Sequence, residues 1–231
     1  MSQRISKSML DPWLGSLLKS LYNVLPIPKW FPPEGIVGVG HLLAIAGAVG
    51  FAYSTTTWWG GWVAGLGVFG NHTADCIDGT HARRTNQCRN GGELLDHSTD
   101  PLSFAYWLCG LAVSCDQLGL GLAAVICLFA SAVLTNIKAK MIGEFTLNRF
   151  GPTEFKSLLV VYSWSMAGLS AMRQDGYDRV FAAGAFLALL VLIGLVHLPV
   201  NLVRSVIEVN ARGSDPDTSE WITGRPSDDM T

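Results

Sequence analysis

The stretch DCIDGTHARRTNQCRNGGELLDHSTD, from Asp75 to Asp100, sets four aspartates where they can act together. Asp75 and Asp78 are three residues apart, and Asp96 and Asp100 are four apart. On a helix either spacing puts both carboxylates on one face. Two facing helices would then aim four carboxylates at one point. Four like charges repel strongly where the dielectric is low, and they stay ionised together only around a cation. Ligands that are all oxygen favour a hard ion, Mg2+ or Mn2+, and four of them have room for two ions. Carboxylates that simply cap two helices at a membrane surface are the plainer alternative.

The neighbouring residues argue against capping alone. Gly79, Ala82, Gly91 and Gly92 interleave the charges, and small residues let a bulky ligand approach the backbone. Arg83 offers a planar set of donors suited to phosphate oxygens. Metal, small residues and an arginine together make a pyrophosphate site, in which the metal neutralises the diphosphate while Arg83 steadies its oxygens.

Helices must position these groups. Charged residues are only 15% of the 231 and hydrophobic ones are 49%, whereas soluble domains carry about 25% charge. With several long apolar runs, this predicts an all-α integral membrane protein. Six transmembrane helices are expected at about 36–54, 59–78, 93–115, 118–140, 153–172 and 179–203. Ahead of them, residues 11–25 read as an amphipathic interfacial helix, with Trp13, Leu14, Leu17, Leu18 and Leu21 on one face and Pro26 and Pro28 closing it. The expected organisation is an N-terminal segment at 1–35, a six-helix domain at 36–206 and a disordered polar tail at 207–231. The N-terminus lacks the pattern of a signal peptide. The five cysteines form no CxxC pair, so a disulfide or zinc framework is not expected.

Charge sets the orientation. Arg4, Lys7, Lys19 and Lys29 precede the first span. Arg83, Arg84 and Arg89 lie between the second and third, and Lys138, Lys140, Arg149 and Lys156 between the fourth and fifth. Arg204, Arg212 and Arg225 follow the sixth. Only Arg173 and Arg179 fall on the opposite side, so the positive-inside rule puts both termini and the acidic stretch in the cytoplasm. A net charge of −2 suggests no nucleic-acid partner. Gly61 and Gly65 share a helix face that serves either intramolecular packing or a dimer contact. Trp58, Trp59 and Trp62 read as an aromatic belt at the outer interface. His41 and His197 read as packing or lining residues.

The pattern Asp75-x2-Asp78-Gly79-x2-Ala82-Arg83-x8-Gly92-x3-Asp96-x3-Asp100 resembles the signature of the CDP-alcohol phosphotransferase family at every defined position. The block DGTHARRTN…GELLDH, with Gly143, Glu144, Leu147 and Gly151-Pro152-Thr153-Glu154, is most similar to the choline/ethanolamine phosphotransferase branch. Thr80 and His81 depart from the Lys-Gln usual there. The resemblance covers about residues 32–154. It implies six core helices, a homodimer, a divalent-metal site and cleavage of the CDP pyrophosphate with release of CMP.

The branch further implies transfer of phosphocholine or phosphoethanolamine to a diacylglycerol-type lipid. Asp75, Asp78, Asp96 and Asp100 would then bind metal. Asp100 or His97 would take the proton of the attacking hydroxyl. Gly79, Ala82, Arg83 and Gly92 would meet the phosphates. Asn71 and His72 would meet cytidine or ribose, or else satisfy helix backbone. Arg84 and Arg89 are candidates for phosphate or headgroup contacts. Within the family, a CDP-diacylglycerol donor with glycerol phosphate, serine or inositol as acceptor is the alternative. Membrane prenyl transfer and ion-coupled transport fit less well: prenyl transfer does not account for the DG-x2-AR block, and transport predicts polar residues through the spans, whereas here they cluster at one membrane face and the spans show no internal repeat.

Overall fold

Prolines and left-handed residues punctuate the chain into helices. The computed structural model describes residues 3–147, 149–172, 176–216 and 218. Strand β1 covers Gln3–Ser6, and a helical stretch follows, made of a π turn (Asp11–Gly15), helix α1 (Ser16–Ser20) and a 3-10 turn (Leu21–Asn23). Helix α2 (Pro33–Ala52) opens on Pro33, whose missing N–H costs nothing in a first turn. Helix α3 (Gly60–Thr85) stops at Asn86, which takes the left-handed conformation at φ 58°. Helix α4 covers Asn90–Ser114. Helix α5 (Leu118–Ile142) stops at Gly143, at φ +77°. Strand β2 (Glu144–Leu147) leads to helix α6 (Pro152–Ala171), and helix α7 spans Gly176–Arg212.

A long helix therefore falls on each of the six expected spans, but two of them end later than expected. Helix α3 continues to Thr85, so Arg83 and Arg84 belong to its last turn and not to a loop. Helix α7 runs through Pro199 to Arg212, beyond the expected end of the domain. Of the tail expected to be disordered at 207–231, residues 207–212 belong to α7 and residues 213–216 and 218 are also described, while Arg173 and Arg225 lie outside the described residues. Helices α2, α5 and the Asp178–Arg212 part of α7 are each long and apolar enough to cross a membrane. Helices α3, α4 and α6 carry the polar side chains of the site, which dilutes their hydropathy.

The parallel pairing of β1 with β2, Gln3 opposite Glu144, adds a two-stranded element to the all-α expectation. Four residues joined to a partner some 140 positions away leave no periodic signal.

Large apolar side chains face outward along α5 (Leu118, Leu122, Ile126, Val133, Ile137) and α7 (Leu192, Val196, Val203, Ile207). Exposed apolar stripes of this length fit a hydrocarbon surrounding. Inside, Phe51, Trp107, Leu111, Leu159, Met166 and Leu187 are buried together. Trp107 donates from Nε1 to the Ala44 carbonyl at 3.0 Å. Tyr162 stacks on Phe186 at 4.1 Å between ring centroids. Glycines bring the helices close: a Cβ on Gly67 would lie 2.4 Å from Gly47 Cα, and one on Gly61 would lie 2.5 Å from the Ser163 carbonyl oxygen. Gly61 and Gly65 thus face α6, which is the intramolecular alternative for that pair.

The N-terminal segment is strung across the ends of α3 and α6. Ser8 Oγ (2.6 Å), Met9 N (2.8 Å) and Leu10 N (3.1 Å) all donate to Glu154 Oε1. Glu154 Oε2 accepts the Gly151 N–H at 2.9 Å and so caps its own helix. The fully buried His81 donates from Nε2 to the Phe31 carbonyl. On the other side of the ring, Nδ1 is hydrogen-bonded with the Tyr22 hydroxyl at 2.9 Å.

Candidate active site

Asp75 sits near the C-terminal end of α3, and Asp96 and Asp100 lie in the first three turns of α4. Their carboxylates meet across the two helices: one oxygen from each lies within 4.8 Å of the others. Oxygens bound to a common hard ion at its usual bond lengths stand up to about 4–5 Å apart, so this donor set fits Mg2+ or Mn2+. The three line a small cleft with Val37, Gly40 and His41 of α2, Asn71 and Ala74 of α3, and Thr99 of α4.

The convergence of two facing helices is therefore as expected, but for three aspartates. Asp78 stands outside the set found among the described residues, and its Oδ1 accepts the N–H of Gly79. One turn further along α3, Arg83 is exposed, and its guanidinium lies over Gly79. A Cβ there would come within 3.3 Å of Nη1, so the glycine makes room for the arginine. Ala82 is half-buried beside it. Among the described residues, Gly92, in the first turn of α4, has only Glu34 Oε1 near it, at 3.8 Å from where a Cβ would be.

Asn71 is buried at the back of the cleft. Its Nδ2 donates to the Gly40 carbonyl at 3.1 Å, and its Oδ1 has no hydrogen-bond partner among the described residues. Both ring nitrogens of the buried His72 are likewise unpartnered, with Nδ1 3.9 Å from Asp75 Oδ2. Backbone satisfaction thus explains half of Asn71 and none of His72, and buried polar atoms without partners are uncommon unless a ligand or water meets them. His97 is half-buried, its ring edge-on to Phe145 of β2 at 5.1 Å. Arg84 is held by the N-terminal segment: Nη1 donates to Asn23 Oδ1 at 2.6 Å, and the guanidinium lies 4.9 Å from the centre of the Tyr22 ring. Arg89 lies 3.6 Å from Glu34. The five cysteines are free thiols.

His41, expected to pack or line, lines the acidic cleft itself and lies 3.5 Å from Ser103 Oγ. Lys156 of α6 is the site residue the sequence did not reveal. Its Nζ donates to Asp75 Oδ2 at 2.9 Å and to Asp100 Oδ1 at 3.1 Å. In the sequence it read as one more cytoplasmic charge. The available signal was its place between Glu154 and the apolar run Leu158–Val161.

Comparison with known proteins agrees with this arrangement. A profile of the CDP-alcohol phosphatidyltransferase family matches residues 39–196. Cholinephosphotransferase 1 of Gallus gallus is 35% identical over 121 residues, 50% of this chain and 35% of that protein. Cholinephosphotransferase 1 of Homo sapiens is 34% identical over 94 residues, 38% of this chain and 23% of that protein. Choline/ethanolaminephosphotransferase 1 of Arabidopsis thaliana is 32% identical over 108 residues, 44% of this chain and 26% of that protein. The matched part is thus about a third or less of each relative's own length. With the profile running from α2 into α7 and the acidic motif gathered at one cleft, the chain belongs to the CDP-alcohol phosphatidyltransferase family.

Proposed function

We propose that this protein transfers phosphocholine or phosphoethanolamine from a CDP-alcohol to the hydroxyl of a diacylglycerol-type lipid, releasing CMP. The observation that carries the reading is the meeting of Asp75 with Asp96 and Asp100, all at family motif positions, beside an exposed Arg83. Similarity to proteins named for choline and ethanolamine supports the choice of alcohol.

Asp75, Asp96 and Asp100 would hold Mg2+ or Mn2+, with Asp78 available for a second ion. A bound ion neutralises the diphosphate and the charge that develops on the departing CMP. Arg83 donates to the pyrophosphate oxygens, which Gly79, Ala82 and Gly92 allow close to the backbone. Asn71 Oδ1 and the His72 ring are free to accept or donate hydrogen bonds to cytidine or ribose. The lipid hydroxyl oxygen attacks the phosphorus that bears the alcohol, and the bond from that phosphorus to the bridging oxygen breaks. The hydroxyl proton passes to Asp100, a member of the acidic set, or to His97 one turn away.

This chemistry needs a water-soluble donor and a lipid acceptor at one place. All six long helices span the membrane in this reading. The N-terminal helical stretch lies in the interface, supported by its exposed Trp13 and Leu17. The cleft faces the cytoplasm, a placement that the distribution of Lys and Arg supports. The chain works as a homodimer.

Purified protein offered CDP-choline, CDP-ethanolamine and CDP-diacylglycerol, each with Mg2+ or Mn2+, tests the proposal. Release of CMP from CDP-choline or CDP-ethanolamine in the presence of diacylglycerol is expected, with none from the Asp96→Ala protein. Release from CDP-diacylglycerol alone would overturn the assignment of donor.

A further inference from the structure

The strand pair lies outside the chemistry proposed above, yet it touches one of the two groups offered for the proton. Phe145 of β2 meets His97 edge to face, with ring centroids 5.1 Å apart and planes at 65°. Tilted contacts at such distances are favourable between aromatic rings and fix the angle between them. On α4 the neighbouring Leu94 and Ser98 are exposed, so a wall beside the imidazole comes from another element, β2. Directly opposite Phe145 in the parallel ladder stands Arg4 of β1. Ile5, Phe145 and Thr146 are good strand residues, but a two-stranded ladder is marginal on its own in water. The pair therefore depends on its anchors. Behind β1, Ser8, Met9 and Leu10 are held by Glu154. At the start of β2, Glu144 accepts hydrogen bonds from Arg212 Nη2 at both carboxylate oxygens, each at 3.0 Å.

We infer that the N-terminal strand is a positioning element for His97: β1 fixes β2, and Phe145 of β2 sets the plane in which the imidazole meets the reacting hydroxyl. The inference rests on the reading in which His97, and not Asp100, receives the hydroxyl proton. A general base works only when its acceptor atom is aimed within hydrogen-bond reach of that proton. A ring that swings freely spends part of its time misaimed, which lowers turnover and leaves the binding of both substrates alone. Phe145 thus acts on the reaction through His97. A strand pair that only closed the helix ends would have no effect that depends on His97.

The experiment uses full-length protein in mixed micelles with CDP-ethanolamine, dioleoylglycerol and Mn2+, and sets Phe145→Leu and His97→Ala in a double-mutant cycle. Phe145→Leu is expected to lower kcat about three- to tenfold, with both KM values within about twofold of wild type and the thermal midpoint within about 2 °C. In the His97→Ala background it should cost none of the residual activity. Replacing residues 3–5 by glycine, which weakens the ladder and leaves Ser6 in place, should reproduce the loss. Histidine-selective NMR without substrate gives a second readout. The signal absent from His97→Ala should move in Phe145→Leu and in the glycine variant, while that of His197 stays. An equal loss from Phe145→Leu in both backgrounds would overturn the inference, as would wild-type kcat in Phe145→Leu or an unmoved His97 signal. Unfolding of Phe145→Leu and of the glycine variant alike would overturn it too, since the strands would then hold the fold and not the ring. Wild-type turnover by His97→Ala would instead remove His97 as the proton acceptor, and this inference with it. No CDP-alcohol enters the NMR measurement, so an error in the assigned donor leaves its result standing.

Discussion

Glu154→Gln should release the N-terminal segment while leaving the helical bundle folded. The wild-type carboxylate accepts four hydrogen bonds with its two oxygens, three at Oε1 from residues 8–10 and one at Oε2 from Gly151. Glutamine has nearly the same shape but only one accepting oxygen. If that oxygen faces Ser8, Met9 and Leu10, the new NH2 group meets the Gly151 N–H, donor to donor. The reverse orientation sets it against two backbone N–H groups. Hydrogen bonds to a charged acceptor contribute about 1.5–3 kcal/mol each and do not add simply. Losing the charge and misplacing one donor should cost about 2–3 kcal/mol, felt mainly by the clamped segment. Amide exchange at Met9 and Leu10 would then rise about thirty- to hundredfold, since each 1.4 kcal/mol is a factor of ten in local opening. Hydrogen exchange read by mass spectrometry on peptides covering residues 8–11, and on peptides around Trp107 as a reference, makes the measurement. Wild-type exchange at residues 9 and 10 would refute the clamp. Equal acceleration around Trp107 would refute its local character.

Two further substitutions test the packing. Trp107→Ala empties a fully buried site and removes the donor to the Ala44 carbonyl, so it should destabilise by about 3–5 kcal/mol and lower the thermal midpoint by about 10 °C. Gly61→Ala and Gly65→Ala should differ although both glycines face α6. At Gly61 the added Cβ meets α6 backbone, Ser163 O at 2.5 Å and Ala167 N at 2.7 Å, and should cost about 1–3 kcal/mol of stability. At Gly65 it meets the side chain of Trp164, which is 42% exposed and able to rotate, so the loss should be smaller. Thermal midpoints check the order. A change in oligomeric state without loss of stability would move the Gly61–Gly65 face from the α3–α6 contact to a dimer interface.

The contrast between what was legible and what was not follows the range of each signal. Asp75, Asp96 and Asp100 could be read because three- and four-residue spacings are properties of a single helix, and an apolar run on either side implied that the two helices face one another. Asp78 shared that spacing, but its carboxylate turned to a backbone N–H next to it, a local competition that spacing cannot resolve. Arg84 read like Arg83, yet its neighbours Tyr22 and Asn23 are some sixty residues away in the chain. Lys156 had the same difficulty in stronger form. In a tally of orientation a lysine is one charge at a membrane face, and only the packing of α3, α4 and α6 shows that it is buried between two acids. His81, noted as a departure from the branch pattern, turns out to join α3 to Tyr22 and Phe31.

These long-range contacts have a common geometry. The N-terminal segment grips α3 through His81 and Arg84, and it grips α6 through Glu154 and through Thr153, whose hydroxyl donates to Asp11. Deeper in the molecule, Lys156 joins α6 to Asp75 of α3, and deeper still Gly61 lets α6 backbone approach α3. The spacing of α3 and α6 is thus set at three levels, of which only the outermost depends on Glu154. Loss of that level should loosen the cover over the helix ends and leave the acid–lysine cluster in place, which is why the Glu154→Gln effect is expected at residues 8–11 and not around Trp107. A cleft whose carboxylates are held from below by Lys156 can keep its geometry while the segment above it opens, and a site that admits a soluble nucleotide and a lipid at one mouth needs that independence.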